Sequence, residues 1–167
     1  MTAGENSIFR LKRPAAPLPT EADFDPYGGG LDAHAAWEHF GGLSIPQAYD
    51  LFVTNPLCYQ EDFMFMGSRA FEYYLPVIDR YLRDVTGGGE SDGCQAAILG
   101  SGVAAQFDWK DSALSRTVVA EIAELSVFIR SNLPRFSPEP EEQRRIDGKW
   151  KVVDEKITRY GNRSERT

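Results

Sequence analysis

Three stretches of this chain repeat apolar residues every three or four positions, and that spacing constrains the fold more than any other feature of its 167 residues. Phe71, Leu75, Ile78, Leu82 and Val85 form one series. Leu114, Val118, Ile122, Leu125 and Ile129 form a second, and Ile146, Trp150, Val153, Ile157 and Tyr160 a third. Residues so spaced share one face of an α-helix, whereas a half-buried strand alternates every second position. A hydrophobic fraction of 42%, with 12% aromatic residues, is enough to bury such stripes in a packed core. The expected fold is mainly α: a single-domain bundle of five or six helices.

Local signals place the ends of the elements. Residues 1–30 read as an irregular, proline-rich arm, extended or disordered, because Pro14, Pro17, Pro19 and Pro26 each remove a backbone donor. Phe9, Leu11, Phe24 and Tyr27 are the residues able to pin this arm to the body. The helical domain is expected over 31–160, with a disordered tail at 161–167. Asp32 is the expected cap of a first helix carrying Ala33, Trp37 and Phe40, stopped by Gly41-Gly42. Ser44 and Gln47 form an S-x-x-Q capping box, with Pro46 in the first turn and Ile45, Tyr49 and Phe52 as the buried stripe. Asn55-Pro56 ends that helix. Ser68 starts the next, which Pro76 is expected to kink or split. The longest helix is expected over about 112–133.

Two segments admit a second reading. Residues 94–109 suit a short strand or a helix interrupted at Gly100 and Gly102, and the lack of partner strands favours helix. Residues 139–160 suit a helix, or a hairpin turning on Asp147-Gly148. The apolar stripe runs past both ends of that hairpin, and Glu141 and Glu142 favour a helix start, so helix is preferred.

Charge and composition exclude several functions. The net charge is −7, which argues against a protein that binds phosphate backbones. Residues 31–100 hold ten acids against three arginines, while 142–167 hold eight bases and five acids. No apolar run approaches the roughly 20 residues that span a bilayer. Cys58 and Cys94 cannot form a disulfide scaffold, and the N-terminus lacks the apolar core of a signal peptide. A cytoplasmic protein is expected.

Motifs of known chemistry are sparse. Gly100-Ser101-Gly102-Val103-Ala104-Ala105 fits the letters of a dinucleotide fingerprint, but that chemistry needs a strand before it and a longer helix after it. Small residues at a tight helix crossing explain the run better, so no cofactor is expected. His34 and His39, five apart on a helix, point away from each other and read as solvated or capping histidines, so no metal is expected. Glu61, Asp62 and Glu72 lie against aromatic residues. A carboxylate so placed can have a raised pKa and act as a general acid, although ordinary surface carboxylates look the same in sequence. Tyr73 and Tyr74 are adjacent and must point to different helix faces, so one of them is expected at the surface or in a cleft.

The string Ala70-Phe71-Glu72-Tyr73-Tyr74-Leu75-Pro76 resembles the F-x-YYLP motif of small bacterial proteins of unassigned function. In those proteins a similar string follows a short segment containing Pro and Phe, as Asn55 to Gly67 does here. The likeness covers residues 44–85. It implies a bacterial source and no particular activity.

With no catalytic constellation legible, the expectation is a non-enzymatic bacterial protein of immunity or regulatory type. Its acidic face would steer a basic partner protein, with Glu61, Asp62, Glu72, Tyr73 and Tyr74 as candidate binding residues. The alternative is a small enzyme with a carboxylate/tyrosine site in an aromatic pocket, and a homodimer is a third arrangement.

Overall fold

A computed structural model of the chain describes residues 9–11, 16–85, 89 and 91–165. Among them there is no strand, and six helices have ten residues or more, so the fold is mainly α. The chain forms two compact units, Met1–Asp84 and Val85–Thr167.

The first unit begins with local order in place of a wholly irregular arm. Glu21–Phe24 forms a single helical turn, α1, after Thr20, whose backbone N–H donates to Asp23 Oδ2 at 2.7 Å. Phe24 is fully buried and Phe9 and Leu11 nearly so, whereas Tyr27 is exposed. Gly28 and Gly29 both take positive φ and turn the chain into α2, Leu31–Phe40. Its N-cap is Gly30 and not Asp32. The Asp25 carboxylate accepts from Gly30 N–H at 3.0 Å, which fixes the entry one residue earlier and leaves Asp32 in the first turn. Only Gly42 of the Gly41-Gly42 pair has positive φ.

The capping box of α3, Ile45–Thr54, forms as expected. Ser44 N–H donates to Gln47 Oε1 at 2.9 Å, and Gln47 N–H donates back to Ser44 Oγ at 3.4 Å. Its fully buried residues are Ala48 and Phe52, with Ile45 and Tyr49 at the margin. Asn55 leaves the helical region, and two short turns follow: α4, Pro56–Tyr59, and α5, Asp62–Phe65.

The next helix, α6, runs without a break over Ser68–Asp84, so the expected split at Pro76 is absent. A proline inside a helix costs roughly 3 kcal/mol. Here Leu75, Pro76, Val77 and Ile78 are all buried, and packing of this stripe offsets the lost backbone bond. At the head of α6, Gly67 N–H donates to Phe24 O at 2.9 Å, and a Cβ on Gly67 would collide with the Asp23 carbonyl. Only glycine lets α1 lie this close.

The second unit is built on three long helices. Residues 92–105 form α7, Asp92–Ala105, so this segment is helix and not strand. Gly100 and Gly102 lie inside it and do not interrupt it. The next helix, α8, is Arg116–Ser131, with Ser115 as its cap. It starts later than expected and is not the longest, because Leu114 precedes the cap instead of joining the helix. The longest is α9, Pro140–Ser164, whose 25 residues continue through most of the tail expected to be disordered. Its stripe of Ile146, Trp150 and Val153 is buried against α7 and α8, with Ile157 and Tyr160 partly covered. Arg130 joins α8 to α9 by donating to Asp147 Oδ1 at 2.8 Å and Asp154 Oδ2 at 2.6 Å.

Candidate functional site

The C-terminal end of α2 gathers the chemistry of the first unit. Phe40 is fully buried there, with ring centroids of Phe63, Tyr74 and Tyr59 at 5.3, 5.7 and 5.9 Å. One residue earlier on the helix, His39 faces the rim of this cluster. Its Nδ1 is 2.7 Å from Asp62 Oδ2, and the Tyr59 ring meets the imidazole edge-on at 5.1 Å. The Asp62 side chain is 11% exposed and that of His39 37%, so the pair has a dry end and a wet end. Burial pushes the Asp62 carboxyl above its ordinary range, opposed by the hydrogen bond and the charge of His39. With Asp62 ionised, Nδ1 must donate, which leaves Nε2 to accept or release a proton. Beside them, Gln60 is buried with its Oε1 unpaired.

The five candidate residues fall in different places. Asp62 belongs to the His39 pair, and Glu61 is exposed beside it. Glu72 and Tyr73 are partly exposed on α6, with Tyr73 edge-on to Tyr74 at 4.8 Å. Tyr74 is fully buried and cannot anchor a partner. Its hydroxyl lies 2.7 Å from Phe40 O and 2.8 Å from Leu43 O, tying α6 to the loop after α2. Burial raises its pKa far above the ordinary phenol value. Asp62 thus lies at an aromatic rim, where Tyr59 meets its partner His39, while Tyr74 belongs to the core.

His39 is the residue that sequence reasoning misses. Its partner is 23 positions away, and no local spacing links the two. His34, by contrast, stands exposed between Glu21 and Glu38, at 3.5 and 3.4 Å. Among the described residues no group of three or more His, Cys, Asp or Glu is placed to hold a metal ion, and no helix is long and apolar enough to cross a membrane. Gly100-Ser101-Gly102 lies in mid-helix under Trp150, where a pyrophosphate has no helix N-terminus to meet.

The stretch of sequence that builds this site carries charge of one sign. From Pro14 to Ser68 the chain has eight carboxylates and no lysine or arginine. Several of the eight are committed to the fold: Asp23 and Asp25 bond backbone N–H groups, and Asp62 bonds His39. Asp32, Glu38, Asp50 and Glu61 are exposed, as are the apolar side chains of Leu31, Val53 and Leu57. Comparison with family models, curated proteins and solved structures finds no match for the chain.

Proposed function

We propose that this is a non-enzymatic bacterial protein of the cytoplasm, of immunity or regulatory type, that binds a basic partner protein through its first unit. The observation that carries this reading is the unbroken acidic stretch from Pro14 to Ser68, in which exposed carboxylates flank exposed Val53 and Leu57. A surplus of surface carboxylates speeds the encounter with a cationic partner, and a few apolar side chains hold it after contact. The likeness of residues 70–76 to the F-x-YYLP proteins is in keeping with a bacterial source. The test is capture from bacterial lysate at low and moderate salt, with the wild-type chain beside Asp50→Lys/Glu61→Lys. A partner retained by the wild type, weakened by salt and lost from the folded variant supports the reading. Equal retention by both, or none by either, counts against it.

A second reading, a small acid–base enzyme, is favoured by the His39–Asp62 pair, since a buried carboxylate orienting a half-exposed imidazole is a common way to hold a general base. A hydrolase activity screen on the wild-type chain and His39→Ala decides it. Turnover lost in the folded variant supports the enzyme, and no turnover in the wild type removes it.

A further inference from the structure

The segment Phe9-Arg10-Leu11 lies on α3 and α6 as a ligand lies in a site. Phe9 is 6% and Leu11 8% exposed, although no helix or strand holds either. The Phe9 ring meets Tyr49 of α3 edge-on at 5.9 Å. The Arg80 guanidinium of α6 covers both rings, 3.8 Å from the Tyr49 centroid and 4.8 Å from that of Phe9. Between the two apolar anchors, Arg10 Nη2 donates at 2.9 Å to Oδ1 of Asp79, whose side chain is only 2% exposed. Arg83 donates to the same oxygen at 3.0 Å.

Each element of this contact is specific. A carboxylate this buried, already bonded to one arginine, gains from a second cation only where geometry is good. Tyr49 is itself fixed, its hydroxyl donating to Asp84 Oδ2 at 3.0 Å, and Arg80 Nε donates to that oxygen at 3.3 Å. The surface therefore presents an aromatic shelf capped by a guanidinium, then a buried carboxylate.

We propose that this α3–α6 surface is a peptide-binding site for a partner segment of the pattern apolar–Arg–apolar, and that Phe9-Arg10-Leu11 occupies it in cis until such a segment displaces it. The proposal rests on the protein-binding reading and names the part of a basic partner that is recognised. Tethering gives the chain's own segment a high effective concentration, so a competitor binds the resting protein weakly.

The test uses the full chain and a fluorescent peptide of residues 7–12, measured by anisotropy. The full-chain variant Phe9→Ser/Arg10→Ala/Leu11→Ser empties the site. It is expected to bind the peptide about ten-fold tighter than the wild type does, and a peptide with Arg10→Ala is expected to bind it about ten-fold more weakly. A folded variant that binds no tighter than the wild type, or that takes both peptides equally, overturns the proposal. Should the variant not fold, the wild type is saturated with a peptide carrying a photo-crosslinking phenylalanine at position 9. Adducts on Tyr49 or on Asp79–Arg83 support the site, and adducts elsewhere or none overturn it. The broader reading fails separately, when lysate capture is equal for the wild type and Glu61→Lys or absent from both, since Glu61 takes no part in the contact that Phe9 and Arg10 make with Tyr49, Asp79 and Arg80.

Discussion

The indole of Trp150 fills the space that a side chain at Gly100 would need. A Cβ there would lie 2.9 Å from the indole Nε1, which donates to the Ala96 carbonyl at 2.9 Å. Trp150 is fully buried on α9 and has no room to retreat. Gly100→Ala is therefore expected to destabilise the protein by about 1–3 kcal/mol despite the better helix propensity of alanine. Urea denaturation followed by far-UV circular dichroism measures it.

The same substitution has the opposite sign elsewhere. Gly148 lies on the exposed side of α9, where a Cβ would meet nothing within 4 Å. Gly148→Ala removes backbone freedom from the unfolded chain without a clash and is expected to gain about 0.5–1 kcal/mol. A rise in urea midpoint beside the fall for Gly100→Ala is the expected result.

Tyr74→Phe takes the hydroxyl donor from the Phe40 and Leu43 carbonyls at the buried end of α2, and about 1–3 kcal/mol is expected to be lost. Tyr73→Phe, at a partly exposed position, is expected to stay within about 0.5 kcal/mol of the wild type. Thermal melts of the two variants distinguish a structural hydroxyl from a surface one.

Asp62 makes a pH prediction. Its carboxyl is raised in the folded state by burial, so the folded protein holds that proton more tightly than the unfolded chain does. Its contribution is most favourable below the ordinary value of 3.8 and is lost as pH rises through the raised folded value. Asp62→Asn keeps an acceptor for His39 and removes this loss. The stability of the variant relative to wild type is expected to increase as pH rises through that window, as read by urea midpoints from pH 3.5 upward in steps of about half a unit.

Arg130→Lys is expected to cost about 1 kcal/mol and to lose most of its effect in high salt. The guanidinium reaches Asp147 and Asp154 through two different nitrogens, and one ammonium cannot reproduce that fork. Denaturation at two salt concentrations checks both parts.

Wherever the deciding interaction is local, the fold is legible in the sequence. The Ser44–Gln47 box, the end at Asn55-Pro56 and the stripe of α9 each depend on residues a few positions apart. Pro76 misleads because its penalty is local, while the packing of Leu75, Val77 and Ile78 that offsets it is tertiary. Asp32 passes for a cap because the Asp25 carboxylate reaches Gly30 from outside the helix. The burial of Tyr74 is recoverable: it lies three residues after Phe71 and four before Ile78, on the apolar stripe of α6. The His39–Asp62 pair is not, since only the packing of α5 against α2 brings the two residues together.

The absence of cationic side chains between Arg13 and Arg69 has a practical consequence. Trypsin finds no cleavage site in that interval, and amine-directed crosslinkers find no lysine to modify. Footprinting of residues 14–68 therefore requires a glutamate-specific or acid protease, or carbodiimide labelling of carboxylates. A mapping experiment that relied on lysine chemistry would read only Lys12, Lys110, Lys149, Lys151 and Lys156 and stay blind to the acidic interval on which a partner is expected.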